Sequence, residues 1–477
     1  MIQAATTKPW VVMLISCVAQ YCIPVMVTAV AIILPAIGKD LHASALELSL
    51  IEQTYVVATA VSMLFFGRLG DILGWRRLYI AGFFGFSLAT GGLGLAQNTQ
   101  ALLVMRAVQG LAAATILSGS IALVAMAYPP EKRGRKIGLV QAFTYGGLAS
   151  GPLLGGVVAA SLGWRYVFWL FVPIGLAAGV LCLARLHPPR TGGRGESIDW
   201  PGSLLYAAGI ALLAAGAARV NLWHLGPPAM LLGLLALVLF VRLEARTPHP
   251  LLDVRLLTGN RIFSLSCLAA MGNYASTFGL TFLMSLDLQY AQGLSPARAG
   301  MVLLLMPLAQ MLASPLAGRL SEKIPPVRLA TLGMVVTCLG LVATALTTGH
   351  DTPLFMIAAQ LMAVGAGYGL FITPNVVVVM GSVEPGRYGL ASGMVGTMRT
   401  LGMTLSITAI TVVLSLGMHG RAVTAGTLPD FLGCMRLGLA ILAVFSLLGI
   451  MTSSRRGPAR AQADPLAAPA SGAGGRP

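Results

Sequence analysis

Charge is what this sequence is short of. Asp, Glu, Lys and Arg make up only 10% of its 477 residues, while 56% are hydrophobic. A soluble protein carries about 25% charged and roughly 45–50% apolar residues. No water-facing surface of ordinary composition can be built from this chain, so a lipid bilayer is the implied solvent for most of it. Acid is scarcer than base, with 15 Asp and Glu against 31 Lys and Arg and a net charge of +16. That excess would point to nucleic acid in a soluble protein. Here the basic residues gather on no single face and in no single tail, but fall in short gaps between apolar runs. Nucleic acid is therefore not an expected partner.

Other absences exclude whole classes of chemistry. There is no CxxC, and Cys17, Cys22, Cys182, Cys267, Cys338 and Cys434 all lie inside apolar runs, where cysteine acts as a small packing residue. His42, His187, His224, His249, His350 and His419 fall near loops and form no cluster. No metal, cofactor or disulfide framework is expected. There is no GxxxxGK[ST] segment, which argues against ATP hydrolysis by this chain. No set of polar residues clusters at one depth as a membrane enzyme would require, and no soluble signalling domain interrupts the chain as a membrane sensor would require. The apolar run that starts at Trp10 continues to Ile37 with no small-residue cleavage site, so it reads as an uncleaved first span.

What is present is apolar runs of helical length. A spanning helix needs about 20 such residues. Fourteen runs qualify, near 10–37, 48–67, 78–97, 101–127, 137–160, 165–186, 203–219, 228–243, 262–288, 297–318, 327–347, 353–378, 388–416 and 431–451. The seventh and eighth are the shortest. The runs are continuous rather than alternating, which argues against barrel strands. With the N-terminus placed in the cytoplasm, 23 Lys and Arg fall in cytoplasmic segments and five on the opposite side, while Arg106, Arg399 and Arg436 fall within spans. That bias predicts both termini inside. The expected location is a bacterial inner membrane.

Composition divides the chain. Residues 187–202, HPPRTGGRGESIDWPG, form a Pro/Gly-rich charged linker, and residues 244–261 form a second charged connection. The expected organisation is an N-terminal six-helix bundle over 1–186, a linker and inserted two-helix hairpin over 187–256, a C-terminal six-helix bundle over 257–452, and a disordered tail over 453–477. An internal echo supports two related halves. GRLGDILGWRR begins at Gly67 after the second span, and GRLSEKIPPVR begins at Gly318 after the second span of the last six.

The first of these loops, Gly67-Arg68-Leu69-Gly70-Asp71-Ile72-Leu73-Gly74-Trp75-Arg76-Arg77, resembles the loop signature of the major facilitator superfamily. Its glycines permit a tight turn. Asp71 is suited to an arginine or a helix N-terminus. The resemblance implies that Gly67, Asp71, Gly74, Arg76 and Arg77 form a latch on the cytoplasmic gate; the alternative is a topological anchor. Arg106-Ala107-Val108-Gln109-Gly110 in span four resembles a second signature, whose arginine the family links to proton transfer; the alternative is an arginine bonding backbone carbonyls. The segment from Gly147 to Gly156, GLASGPLLGG, is similar to the family's antiporter motif, with Gly147, Gly151, Pro152, Gly155 and Gly156 as its marks. Trp164-Arg165-Tyr166-Val167-Phe168, Asp199-Trp200-Pro201-Gly202 and Gly293-Leu294-Ser295-Pro296 resemble the fourteen-span drug:proton antiporters. The implied fold is all-α, with two six-helix bundles and a two-helix insertion.

The sequence also departs from that subfamily. Met26 stands where its first span usually carries Asp, Ala31 where Asn is usual, and Phe171 replaces a common Asn. A proton site at that first-span acid is absent. Glu52 and Asp287 are the remaining candidates. Glu52 shares a helical face with Tyr55, Thr59 and Ser62, and Asp287 shares one with Asn273, Thr277 and Met284; the alternative places both acids idle in the wet interface. Candidate pocket residues are Gln20, Met26, Tyr55, Asn273, Thr277, Met284, Gln360, Asn375 and Arg399. The expected function is proton-coupled export of small amphipathic molecules or drugs by alternating access, by a protein working as a monomer. The alternatives are export of a specific metabolite, such as a siderophore, amino acid derivative or lipid precursor, and uncoupled facilitation.

Overall fold

In hydrocarbon a backbone N–H or C=O has no water to bond, so a spanning segment satisfies itself as a helix. The computed structural model follows that rule. It describes residues 7–43, 45–187, 198–218, 224–248, 250–252, 254–349, 352–418 and 427–456, among which no strand occurs. The helices are α1 (Pro9–Leu41), α2 (Ala45–Leu73), α3 (Trp75–Leu95), α4 (Thr99–Ala127), α5 (Pro130–Ser161), α6 (Trp164–Arg185), α7 (Trp200–Ala218), α8 (Gly226–Glu244), α9 (Val254–Gly259), α10 (Arg261–Leu286), α11 (Pro296–Leu303), α12 (Leu305–Leu320), α13 (Pro326–Thr347), α14 (Leu354–Gly381), α15 (Tyr388–Met418) and α16 (Leu428–Ser454). Most of the expected tail, 457–477, lies outside the described residues.

Twelve of the described helical segments are long and apolar enough to cross a membrane. Two of the fourteen expected runs fall short of that measure. In α7 the apolar part, Trp200–Gly216, is short. In α10 the polar residues Asn273, Ser276 and Thr277 dilute the apolar content. The tenth run is one apolar stretch in sequence but two helices, α11 and α12, that meet at Leu304. Pro307 explains the break, since it has no N–H for the Leu303 carbonyl and its ring crowds that turn.

The helices pack in two groups. In one, α1 lies on α5, α2 on α4, and α3 on α4 and α6. In the other, α10 lies on α15 and α16, α13 on α14 and α16, and α12 on α14. The groups meet along two seams, α2 against α15 and α5 against α12. The ends of α2, α4 and α12 carrying the basic loops lie together, and we call this the basic end.

The hydrophobic core differs between the two ends. One continuous cluster runs through the α1–α6 group and takes in Phe263, Cys267, Val376, Val379, Met380, Val383, Tyr388, Ala391 and Met394, from the basic ends of α10, α14 and α15 and the α14–α15 connection. At the opposite end the second group has a separate core, built from residues such as Leu283, Met284, Leu361, Ile410, Phe431 and Leu439, with no member from α1–α6. The two groups are thus fused at the basic end and keep separate cores at the other.

Helices α7 and α8 pack as a hairpin, and α7 touches both groups. The fully buried Tyr206 hydroxyl lies 3.2 Å from the Ala60 carbonyl of α2 and 2.8 Å from Thr397 Oγ1 of α15. The hairpin therefore sits astride the α2–α15 seam.

Candidate functional site

The α2–α3 loop forms because Gly74 adopts φ +88°, a left-handed conformation at little cost only to glycine, and so turns the chain directly from α2 into α3. That turn leaves Asp71 at the end of α2, fully buried. Its Oδ1 accepts from the Gly389 N–H at 3.1 Å and its Oδ2 from the Leu390 N–H at 3.0 Å. These N–H groups belong to the first turn of α15, where no intrahelical acceptor exists. A carboxylate there gains charge-assisted bonds and a favourable helix dipole. Asp71 thus joins the two groups across 318 residues of chain. Around it the seam is close: a Cβ on Gly67 would sit 2.6 Å from the Gly389 carbonyl oxygen. The buried Trp75 ring fills the space beside Gly70, Gly119 and Gly389. Arg76 binds within its own group, donating to the Leu183 carbonyl at 2.8 Å, and Arg77 is exposed.

The second seam mirrors the first. A Cβ on Gly134 would lie 2.6 Å from the Gly318 carbonyl oxygen, and one on Gly138 would lie 2.5 Å from that of Ser314. Glu322, from the echoed loop, accepts from the Arg135 N–H near the start of α5 at 3.2 Å. The Arg133 guanidinium lies over the Tyr388 ring at 5.5 Å. Each loop after a second helix therefore reaches the fifth helix of the other group.

The glycine motif of α5 packs inside one group. Cβ atoms on Gly147 and Gly155 would lie 2.5 Å from the Tyr21 carbonyl oxygen and 2.9 Å from that of Ala29, and Gly151 faces Thr28. These glycines, four residues apart, seat α5 on α1. Gly156 lies off this stripe with only ordinary contact to Ile32, and Pro152 is interior to the helix.

Arg106 is fully buried near the far end of α4. Its Nε donates to the Ile51 carbonyl at 3.2 Å and its Nη1 to Gln109 Oε1 at 2.8 Å, and its guanidinium lies 4.7 Å from the centre of the Tyr55 ring. Gln109 Nε2 continues the chain to Thr90 Oγ1 at 2.8 Å, and the Tyr55 hydroxyl donates to the Ile23 carbonyl at 3.5 Å. Arg106 and its network therefore tie α1, α2, α3 and α4 together. Glu52 lies next to Ile51 and is half-buried. Asp287 opens a π-helical turn over Asp287–Ala291, is 2% exposed, and has an Oδ1 with no hydrogen-bond partner. It is therefore not in a wet interface.

A third layer lies at mid-depth, about 15 to 23 Å from the basic ends of its helices at about 1.5 Å rise per residue. Here Tyr368 of α14 meets Tyr145 of α5 and Tyr274 of α10 edge to face, with ring centres 5.7 and 5.6 Å apart. This trio crosses between the groups. Gln20 Oε1 accepts at 3.0 Å from the hydroxyl of Thr144, the residue before Tyr145. Arg399 of α15 is half-buried, and its Nη2 faces Met63 Sδ of α2 at 3.7 Å.

The remaining candidates are less accessible. Met26, Asn273 and Met284 are fully buried or nearly so, and both polar side-chain atoms of Asn273 are unpartnered. Thr277 bonds its own helix at Asn273, Gln360 donates to Thr347 Oγ1, and Asn375 donates to the Ser266 carbonyl. Sequence reasoning passed over Trp75 and the tyrosine trio. A signal was there, since tyrosines favour the ends of spans, where their hydroxyls reach water, and these three sit in the middle. The six cysteines are free and buried, and no group of metal-binding side chains occurs among the described residues.

Comparison with known proteins agrees with this geometry. The family model described as Major Facilitator Superfamily matches residues 14–255 and 263–473. A riboflavin transporter of Clostridioides difficile is 29% identical over 401 residues, covering 83% of this chain and 86% of that protein. A cephamycin export protein of Amycolatopsis lactamdurans is 29% identical over 463 residues, covering 94% of each. Among solved structures, the human organic anion transporter MFSD10 superposes with a TM-score of 0.69, covering 93% of this chain and 99% of that one at 15% identity, a likeness of fold alone.

Proposed function

This chain belongs to the Major Facilitator Superfamily and is an integral membrane transporter, and from that premise we propose that it is a proton-coupled exporter of small amphipathic molecules working by alternating access. The observation that carries the reading is the Asp71 contact with the first turn of α15. It closes one end of the inter-group space through bonds that must break for the groups to part there, which is what a two-state gate requires. The separate core at the opposite end supports the same reading, because the groups can diverge there without opening a shared interior.

In this reading the basic end is cytoplasmic in a bacterial inner membrane, and all fourteen helical runs cross the bilayer. Residues 1–186 and 257–452 are the rocking bundles, and 187–256 carries the inserted hairpin. The chain works as a monomer. Substrate binds at the mid-depth layer. Asp287 is the stronger candidate for the exchanged proton, because it is enclosed and one of its oxygens lacks a partner. Relatives named for riboflavin transport and cephamycin export support amphipathic natural products as cargo. Export of one specific metabolite is the second reading, favoured by the cationic Arg399 at the layer and by Met26 in place of an acid.

The test is a compound-sensitivity screen in a host lacking its own pumps, followed by efflux of each hit with and without a protonophore. Expression should confer resistance, and collapsing the pH gradient should reduce efflux by about tenfold or more. Efflux indifferent to the gradient would replace coupled export with facilitation or another ion.

A further inference from the structure

We propose that the mid-depth junction between the helix groups takes an amphipathic organic anion, with its negative group on Arg399. This deepens the exporter reading and rests on it for the location of the site.

Arg399 lies roughly 17 Å along α15 from its start at Tyr388, near the middle of a hydrocarbon layer about 30 Å thick. A cation at that depth faces water or a counter-ion, since lipid tolerates it poorly. Among the described residues no carboxylate pairs with it. Among the described residues the only hydrogen-bond partner of Arg399 is Met63 Sδ at 3.7 Å, and a thioether is a weak acceptor. Asp71 is occupied at the seam. Glu52 lies about 16 Å from Met63 along α2, and Asp287 lies beyond the far end of α10.

Arg399 reaches out of its own group: its Nη2 lies 3.7 Å from Met63 Sδ of α2, across the α2–α15 seam. A side chain that reaches the opposite group and is only partly buried there faces the junction between the groups and not the lipid. Arg106 differs: its guanidinium is enclosed and bonded to Ile51 and Gln109. Arg399 is thus the cation left at mid-depth for a ligand to neutralise, in a fork geometry suited to carboxylate, phosphate or sulfonate.

The tyrosines mark the same depth. Their rings meet edge to face from α5, α10 and α14 and are themselves buried, so they form the packed floor of this layer. The positive charge of Arg399 repels a cationic ligand at this depth, and that repulsion gives discrimination.

Two dyes sharing a xanthene core test the charge: fluorescein, an anion, and rhodamine 123, a cation. Binding to the purified full chain is read by fluorescence anisotropy, and export is read separately in proteoliposomes. Fluorescein should bind at least about tenfold more tightly than rhodamine 123, since a bond to a charged group is worth that much when partly desolvated. Arg399→Gln should weaken fluorescein by about tenfold and leave rhodamine 123 unchanged or tighter, and Arg399→Lys should recover part of the loss. Preference of the wild type for rhodamine 123, binding of neither dye, or equal fluorescein binding by wild type and Arg399→Gln would overturn the proposal. The wild-type preference decides the matter even where a variant does not fold. Fluorescein binding without export would sink the exporter reading alone, and export of rhodamine 123 without fluorescein would sink the anion class alone.

Discussion

Asp71→Asn should remove most export while leaving the protein inserted and folded. The wild-type carboxylate accepts from two N–H groups of α15, one on each oxygen. An amide keeps one acceptor oxygen, but its NH2 must then face the second N–H, so one bond becomes a donor–donor clash. Bonds to a charged group are worth about 1.5–3 kcal/mol each. Losing one, together with the charge that favours the helix N-terminus, shifts the closed-to-open ratio at the basic end by roughly ten- to a hundredfold. The core of the α1–α6 group does not depend on this bond, so expression and thermal stability should change little. Two measurements check this: efflux of a transported compound, and the distance distribution between spin labels at the exposed positions Arg77 and Glu384. The variant should populate longer distances. Full efflux with an unchanged distribution would leave Asp71 as an anchor and not a latch.

Gly138→Val should abolish export, for a steric rather than an electrostatic reason. Its Cβ would lie 2.5 Å from the Ser314 carbonyl oxygen and 3.2 Å from the Cα atoms of Pro315 and Gly318. These are backbone atoms and cannot rotate aside, so α5 and α12 must separate and the basic end cannot close. Two comparisons give the result its meaning. Gly146→Val meets the Met311 sulfur at 3.2 Å, the flexible end of a side chain, and should retain export. Gly147→Val meets the Tyr21 carbonyl oxygen at 2.5 Å inside one helix group. It should therefore lower thermal stability and yield, by the roughly 1–3 kcal/mol typical of overpacking. Loss of export from a well-folded Gly138 variant, against loss of folding from the Gly147 variant, would separate the moving seam from the fixed one.

How much of this was legible beforehand depended on the range over which each signal acts. Helix existence is local, since an apolar run in lipid has one way to satisfy its backbone, and α1–α6 lie close to their runs. The echo of Gly67 at Gly318 was legible because repetition is visible in the chain itself, and both loops occupy equivalent seams. Asp71 was readable as a residue suited to a helix N-terminus, but not which one, because its partners at Gly389 and Leu390 are distant in sequence and carry no side-chain signature. The glycine spacing in α5 announced close packing, but α1 as the neighbour appears only in three dimensions. The tyrosine trio was hidden because each tyrosine stands alone in its own apolar run. Pro307 was overlooked within a run whose overall apolarity masks one missing N–H.

The inserted hairpin has a consequence for the membrane around the protein. Helices α7 and α8 are described over 19 residues each, against 29 for α2 and 31 for α15, the two helices that Tyr206 joins. At about 1.5 Å per residue the hairpin is roughly 28 Å tall, close to the hydrocarbon thickness itself, while its neighbours overshoot it. Longer acyl chains would force the hairpin to shift or thin the lipid beside it, and the Tyr206 contacts pass that displacement to Ala60 and Thr397. Turnover should therefore vary with acyl-chain length in reconstituted vesicles, and less so in Tyr206→Phe, making bilayer thickness an input that this carrier reads alongside its cargo.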